Sequence, residues 1–107
     1  MGKSSQRKGR AGELELVKVL LDFGITAEPG RAMAFGKTPD ITGIEGIHAE
    51  VKRVEKLNVP EAMKQAVEDS EKFKDGKPCL FHRRNRSPWL VTMRLEDWVE
   101  MYGRAYE

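Results

Sequence analysis

Hydrophobic positions near the start of the chain recur at helical spacing. On a wheel of about 100° per residue, Leu14, Leu16, Val17, Val19, Leu20, Leu21 and Phe23 fill one broad arc, while Glu15, Lys18 and Asp22 share the opposite side. This predicts a helix from about Gly9 to Phe23, with Gly24 as its C-terminal stop. Glu13 falls near the centre of the apolar arc. A carboxylate buried there is costly unless a cation or several donors meet it. In the first turn it can equally favour the helix dipole and reach solvent.

The period then shortens to two. Ile25 to Glu28 predicts a short strand, and Pro29 to Thr38, containing Gly30, Arg31 and Gly36, reads as a loop. Ile41 to Ile44 and Ile47 to Lys52 predict a hairpin about Glu45-Gly46. Alternation sets Ile47, Ala49 and Val51 on one face and His48, Glu50 and Lys52 on the other. A second helix, Pro60 to Phe73, follows from the stripe Val59, Ala62, Met63, Ala66, Val67, Ser70 and Phe73, with Asn58 as its cap and Gly76 closing it. Cys79 to His82 and Trp89 to Met93 predict two more strands about Asn85-Arg86-Ser87-Pro88, before a short helix from about Leu95 to Tyr102. With no internal repeat or low-complexity segment, the order α, β, β, β, α, β, β, α fits an α/β architecture, one mixed five-stranded sheet with flanking helices.

Composition bounds this picture. A chain of 107 residues suits a single domain, 1–107, able to bury about two-thirds of its unfolded surface. The lone Cys79 cannot form an internal disulfide and reads as a small core residue. Neither a signal-peptide pattern nor a bilayer-length apolar run is visible, so a reducing cytoplasm and no membrane association are expected. The net charge of +2 does not by itself argue for nucleic acid. Its distribution says more. Lys3, Arg7, Lys8 and Arg10 precede any acidic residue, in a segment read as basic and flexible over about residues 1–8, and Arg83, Arg84 and Arg86 form a second cluster. Glu96, Asp97, Glu100 and Glu107 make the other end acidic. Each basic patch suits a phosphate backbone, or else a solvated tail and a charged hairpin.

The candidate chemistry lies in Pro39-Asp40 and Glu50-Val51-Lys52. If Glu13, Asp40 and Glu50 converge, two carboxylates about 4 Å apart repel by roughly 4 kcal/mol at an effective dielectric of about 20. Mg²⁺ removes that repulsion, lowers the pKa of a bound water and neutralises charge growing on a phosphorane. Asp40 and Glu50 are then direct ligands, the Val51 backbone carbonyl another, and Glu13 completes the shell directly or through water. Lys52 orients or deprotonates the attacking water or stabilises the transition state. Taken singly, Asp40 also suits a turn aspartate bonded to its own backbone. Glu50 and Lys52 also suit the solvated face of an edge strand. Gln65, on the flank of the second helix, suits either a water or phosphate ligand or an ordinary surface amide. His48 shares the face of Glu50 but lacks the Cys or His companions of a zinc site.

Lys8-Gly9 with Glu13 four residues later, Glu15-Leu16, a loop with Arg31, Pro39-Asp40 and then Glu50-Val51-Lys52 resemble, in order and spacing, the archaeal-type Holliday junction resolvases. That family, phage relatives included, belongs to the PD-(D/E)xK nuclease superfamily, and the likeness spans most of the chain. It implies a restriction-endonuclease-like fold and a metal-dependent, structure-specific endonuclease that resolves four-way junctions by paired phosphodiester hydrolysis. By the resemblance Glu13, Asp40, Glu50 and Lys52 are catalytic, and Asp40 and Glu50 chiefly bind Mg²⁺ or Mn²⁺, with no organic cofactor. Lys3, Arg7, Lys8, Arg10, Arg31, Lys37 and Arg53 are the expected DNA contacts.

The resemblance also implies a homodimer, since paired symmetric cuts need two active sites. Trp89, Met93, Trp98, Met101 and Tyr102 are a candidate dimer face, or else close the monomer core. Three alternatives stay open: a nuclease of the same superfamily acting on flaps, nicks or plain duplex, a non-catalytic DNA-binding module, and a protein-interaction domain.

Overall fold

The structure is a computed structural model that describes residues 2–30 and 38–106, with side chains from Gly9 onward. Arg31 and Lys37 lie outside the described residues, and at Lys3, Arg7 and Lys8 only the backbone is described. The elements follow the expected order: α1 (Gly2–Asp22), β1 (Glu28–Pro29), β2 (Ile41–Thr42), β3 (Ile47–Arg53), α2 (Val59–Phe73), β4 (Lys77–Arg83), β5 (Leu90–Met93) and α3 (Leu95–Ala105).

The five strands form one mixed sheet in the order β1-β2-β3-β4-β5. Every neighbouring pair is antiparallel except β3 and β4, which run parallel with Ala49 opposite Cys79 and Glu50 opposite Leu80. A parallel pair needs a crossover, and α2 supplies it. Leu16 and Leu20 of α1 pack with Ala27, Ile41, Ala49 and Val51 in one buried cluster. The opposite parity of β3 faces α2, whose Phe73 stacks on His48 with ring centroids 6.2 Å apart. Both faces of β3 are therefore covered, and its polar side is buried rather than solvated: Glu50 is 4% exposed and His48 1%.

Several sequence expectations shift. Helix α1 starts at Gly2 instead of near Gly9, because Lys, Gln and Arg upstream sustain the helix as readily as the apolar stretch does. Its buried stripe is also narrower than the predicted arc. Gly12, Leu16 and Leu20, four residues apart, face the sheet, while Leu14, Leu21 and Phe23 are exposed. The helix crosses β3 at Gly12, where an added Cβ would lie 2.6 Å from the Arg53 Cβ, so only one turn-spaced row can touch the sheet.

The first strand contracts to Glu28–Pro29, and α3 extends to Ala105. Asn58 caps α2 as expected, its side chain accepting from the Glu61 N–H at 3.1 Å. The C-cap, however, is Lys74 in the left-handed region (φ 51°), its N–H donating to the Ser70 carbonyl at 2.8 Å. Gly76 does different work. At φ 138°, a Cβ there would sit 2.3 Å from the Gly46 carbonyl carbon, so its lack of a side chain lets the start of β4 close on the entry to β3.

Cys79 is buried and free, as expected of a core residue. Trp89 packs against the core, whereas Trp98, Met101 and Tyr102 of α3 are exposed. Among the described residues no helix is long and apolar enough to cross a membrane.

Candidate active site

Asp40 is placed by a ladder that stops early. β2 pairs with β3 at Ile41 opposite Ala49, and Pro39, with no N–H to contribute, ends that pairing just beyond Asp40. The Val51 N–H is taken up by a side chain instead, donating to Asp40 Oδ2 at 2.8 Å. On its other side the Asp40 carbonyl accepts from the Gly30 N–H at 2.9 Å. The carboxylate is thus held against the strand that carries Glu50 and Lys52.

Electrostatics tie the remaining groups to it. Burial, and then the Glu50 charge, push the Asp40 pKa up to about 6, against the opposing pull of the Val51 hydrogen bond, Lys52 and His48. Glu13, half-buried on α1, is pushed up to about 7 by burial and by the charges of Asp40 and Glu50, with Arg10 opposing. Its carboxylate lies 3.9 Å from the Arg10 guanidinium. Glu13, Asp40, Glu50 and Lys52, drawn from a helix, a strand entry and a central strand, therefore share one neighbourhood. Carboxyl oxygens are hard donors of the kind that hold a divalent cation, but among the described residues the group whose ligand atoms all lie within 4.8 Å of one another contains Glu50 without Glu13 or Asp40.

His48 is the residue that sequence reasoning undervalued. Its ring lies between two elements, with Nδ1 hydrogen-bonded to both carboxylate oxygens of Asp75 at 2.9 and 2.8 Å. Nε2 points toward Glu50, 3.5 Å from Oε2, and among the described residues has no hydrogen-bond partner. Burial alone would lower the His48 pKa, but the carboxylates of Glu50 and Asp75 outweigh it and push it up to about 9. With Asp69 of α2, His48 and Glu50 form a group whose ligand atoms all lie within 4.8 Å of one another. Shared parity with Glu50 was the available sequence signal. Asp75 and Asp69, across the crossover, left no local trace.

The expected DNA-contacting residues fall into different settings. Arg10 is exposed and donates to the Gly30 carbonyl at 3.0 Å. Arg53 is half-buried, donating from Nε to Glu15 Oε2 at 3.2 Å and from Nη2 to Asn85 Oδ1 at 2.9 Å. Arg83 bonds the other Glu15 oxygen. Burial raises the Glu15 pKa, but the hydrogen bonds from Arg83 and Arg53 prevail and hold it below the usual carboxylate range. Glu15, on the predicted polar side of α1, thereby fastens that helix to the ends of β3 and β4. Arg84 and Arg86 are exposed, and Gln65 of α2 lines a shallow hollow with Glu61, Lys64 and Glu68.

Neither a scan of protein-family models nor a search of curated protein sequences returns a match. Among solved structures, the chain is similar to Hjc of Archaeoglobus fulgidus, a Holliday junction resolvase from an archaeal hyperthermophile, solved at 1.6 Å resolution. The superposition has a TM-score of 0.56 at 20% sequence identity and covers 78% of this chain and 74% of that one. The fold is restriction-endonuclease-like. In this restriction-endonuclease-like frame, the mixed sheet carries Asp40 at the entry to β2 and Glu50 and Lys52 along β3, with Glu13 reaching in from α1.

Proposed function

We propose that the chain is a metal-dependent, structure-specific DNA endonuclease that resolves four-way junctions by phosphodiester hydrolysis. One observation carries this reading: burial and the charges of Asp40 and Glu50 raise the Glu13 pKa to about 7, and burial and the Glu50 charge raise that of Asp40 to about 6, with Lys52 opposing at Asp40. The fold-level likeness to an archaeal junction resolvase supports it. A purely structural role for these residues gives no reason to crowd acidic groups at this electrostatic cost.

In the proposed site Asp40, Glu50 and the Val51 carbonyl hold Mg²⁺ or Mn²⁺, with Glu13 in the shell directly or through water. When bound, the cation supplies an acidified water and charge neutralisation at phosphorus. The protein's own groups do the rest. Lys52 orients the attacking water and offsets charge on the equatorial oxygens, and the Val51 N–H keeps Asp40 turned toward Glu50.

Arg10 and Arg53, with Lys3, Arg7, Lys8, Arg31 and Lys37, follow the phosphate backbone. Paired cuts call for two copies of the chain, and the exposed Trp98, Met101 and Tyr102 of α3 offer an apolar face for their meeting. A buried, unpaired Cys79 fits a reducing cytoplasm.

The test is a panel of labelled four-way junction, flap, nicked and plain duplex DNA, incubated with and without Mg²⁺. Symmetric nicks in the junction that require Mg²⁺ are expected, and they vanish in Glu50→Ala and Asp40→Asn while junction binding persists. Cleavage confined to flaps or duplex would move the substrate elsewhere in the superfamily. Undiminished cleavage by both variants would remove the assignment.

A further inference from the structure

Asp69 of α2 lies over the face of β3 that carries His48 and Glu50, and one ligand atom from each lies within 4.8 Å of the others. The His48 side chain is 1% exposed. Asp75, an acceptor, takes Nδ1 at 2.8 and 2.9 Å, so Nδ1 is the donor nitrogen. In the neutral ring the lone pair then sits on Nε2, which is buried, has no hydrogen-bond partner among the described residues and lies 3.5 Å from Glu50 Oε2. A lone pair facing carboxylate oxygens is repulsive. A positive centre, either a proton or a metal ion, resolves the arrangement.

We propose that His48 Nε2, Glu50 and Asp69 form a second cation site that takes a transition-metal ion of the Zn²⁺ or Co²⁺ class. The site goes beyond the hydrolytic reading, with which it shares one residue, Glu50. Imidazole nitrogen with two carboxylates favours such ions over Mg²⁺ or Ca²⁺, whose preferred ligands are all oxygen. One of the three spacings also suits them. Ligands about 2.0–2.2 Å from a tetrahedral ion stand roughly 3.3–3.6 Å apart, and His48 and Glu50 are already separated by 3.5 Å. Asp75 plays the part that carboxylates take behind metal-bound histidines, fixing the tautomer and raising the basicity of the ligating nitrogen. Half-buried Asp69 is the side from which an ion enters.

The experiment titrates Zn²⁺ into DNA-free protein in excess Mg²⁺, reading affinity by calorimetry and the imidazole ¹⁵N resonances by NMR. The chain has two histidines, and His82 Nε2, bonded to Thr92 Oγ1 at 2.8 Å, is the internal control. The expected result is a shift of His48 Nε2 while His82 stays in place, and at least a tenfold loss of Zn²⁺ affinity in His48→Gln and in Asp69→Asn.

Asp69→Asn alters a half-buried residue and keeps the test informative if His48→Gln fails to fold. Asp40→Asn should retain Zn²⁺ binding while losing cleavage. Unchanged Zn²⁺ affinity in Asp69→Asn, or an unmoved His48 resonance, overturns the second site and leaves hydrolysis at Asp40 standing. Cleavage that survives both Asp40→Asn and Glu50→Ala overturns the hydrolytic assignment and leaves the Zn²⁺ result untouched.

Discussion

The backbone N–H of Val51 donates to Asp40 Oδ2 at 2.8 Å, in a stretch of β3 that β2 no longer pairs. One carboxylate oxygen thus completes the strand's hydrogen bonding while the group as a whole stays beside Glu50. Structure and proposed chemistry meet in a single side chain, and substitutions can separate them.

Asp40→Asn retains an oxygen that can accept from Val51, whereas Asp40→Ala orphans that N–H. Both remove the same charge. The alanine variant should be less stable than the asparagine variant by about 1–3 kcal/mol, the cost of a buried unsatisfied donor, in urea melts of the metal-free protein. Equal midpoints would mean that the hydrogen bond contributes nothing.

Asp40 titrates at about 6 in the folded chain against an ordinary 3.8. A carboxyl whose pKa is raised by folding stabilises fully below its unfolded pKa and loses that contribution as pH rises through the folded value. In EDTA, wild type should therefore lose stability relative to Asp40→Asn between pH 3.8 and about 6, and the difference should level off above that. Saturating Mg²⁺ should reverse the sign near neutral pH by binding the wild-type carboxylate. Parallel urea melts across the series decide it, and a difference that grows in the other direction counts against a strained carboxylate.

Glu15 bonds Arg53 with one oxygen and Arg83 with the other, joining α1 to the ends of two neighbouring strands. Partial exposure discounts the pair energies, so Glu15→Gln should cost about 1 kcal/mol. A double-mutant cycle with Arg83→Lys should show non-additivity, and strictly additive losses would mean that the two groups act independently.

Two glycines should respond oppositely to alanine. Gly9 lies within α1 with nothing among the described residues within 4 Å of an added Cβ, so Gly9→Ala should stabilise by about 0.5–1 kcal/mol. At Gly76, with φ 138° and a Cβ position 2.3 Å from the Gly46 carbonyl carbon, alanine should destabilise by ~2 kcal/mol or more. Thermal melts of the two variants give the comparison directly.

The order of the elements, the Asn58 cap and the alternation that sets His48, Glu50 and Lys52 on one side of β3 were all legible in the sequence, because each follows from backbone geometry over a few residues. What lies opposite those side chains was decided only by the tertiary structure. The α2 crossover brings Asp75 onto His48 across 27 residues of chain, and the pairing of β3 with β4 brings Arg83 to Glu15 across 68. The same packing narrowed the wide apolar arc of α1 to the row through Gly12, Leu16 and Leu20. Periodicity records the direction in which a side chain points, whereas its partner, and hence its charge state, depends on which distant segment the sheet order carries to it.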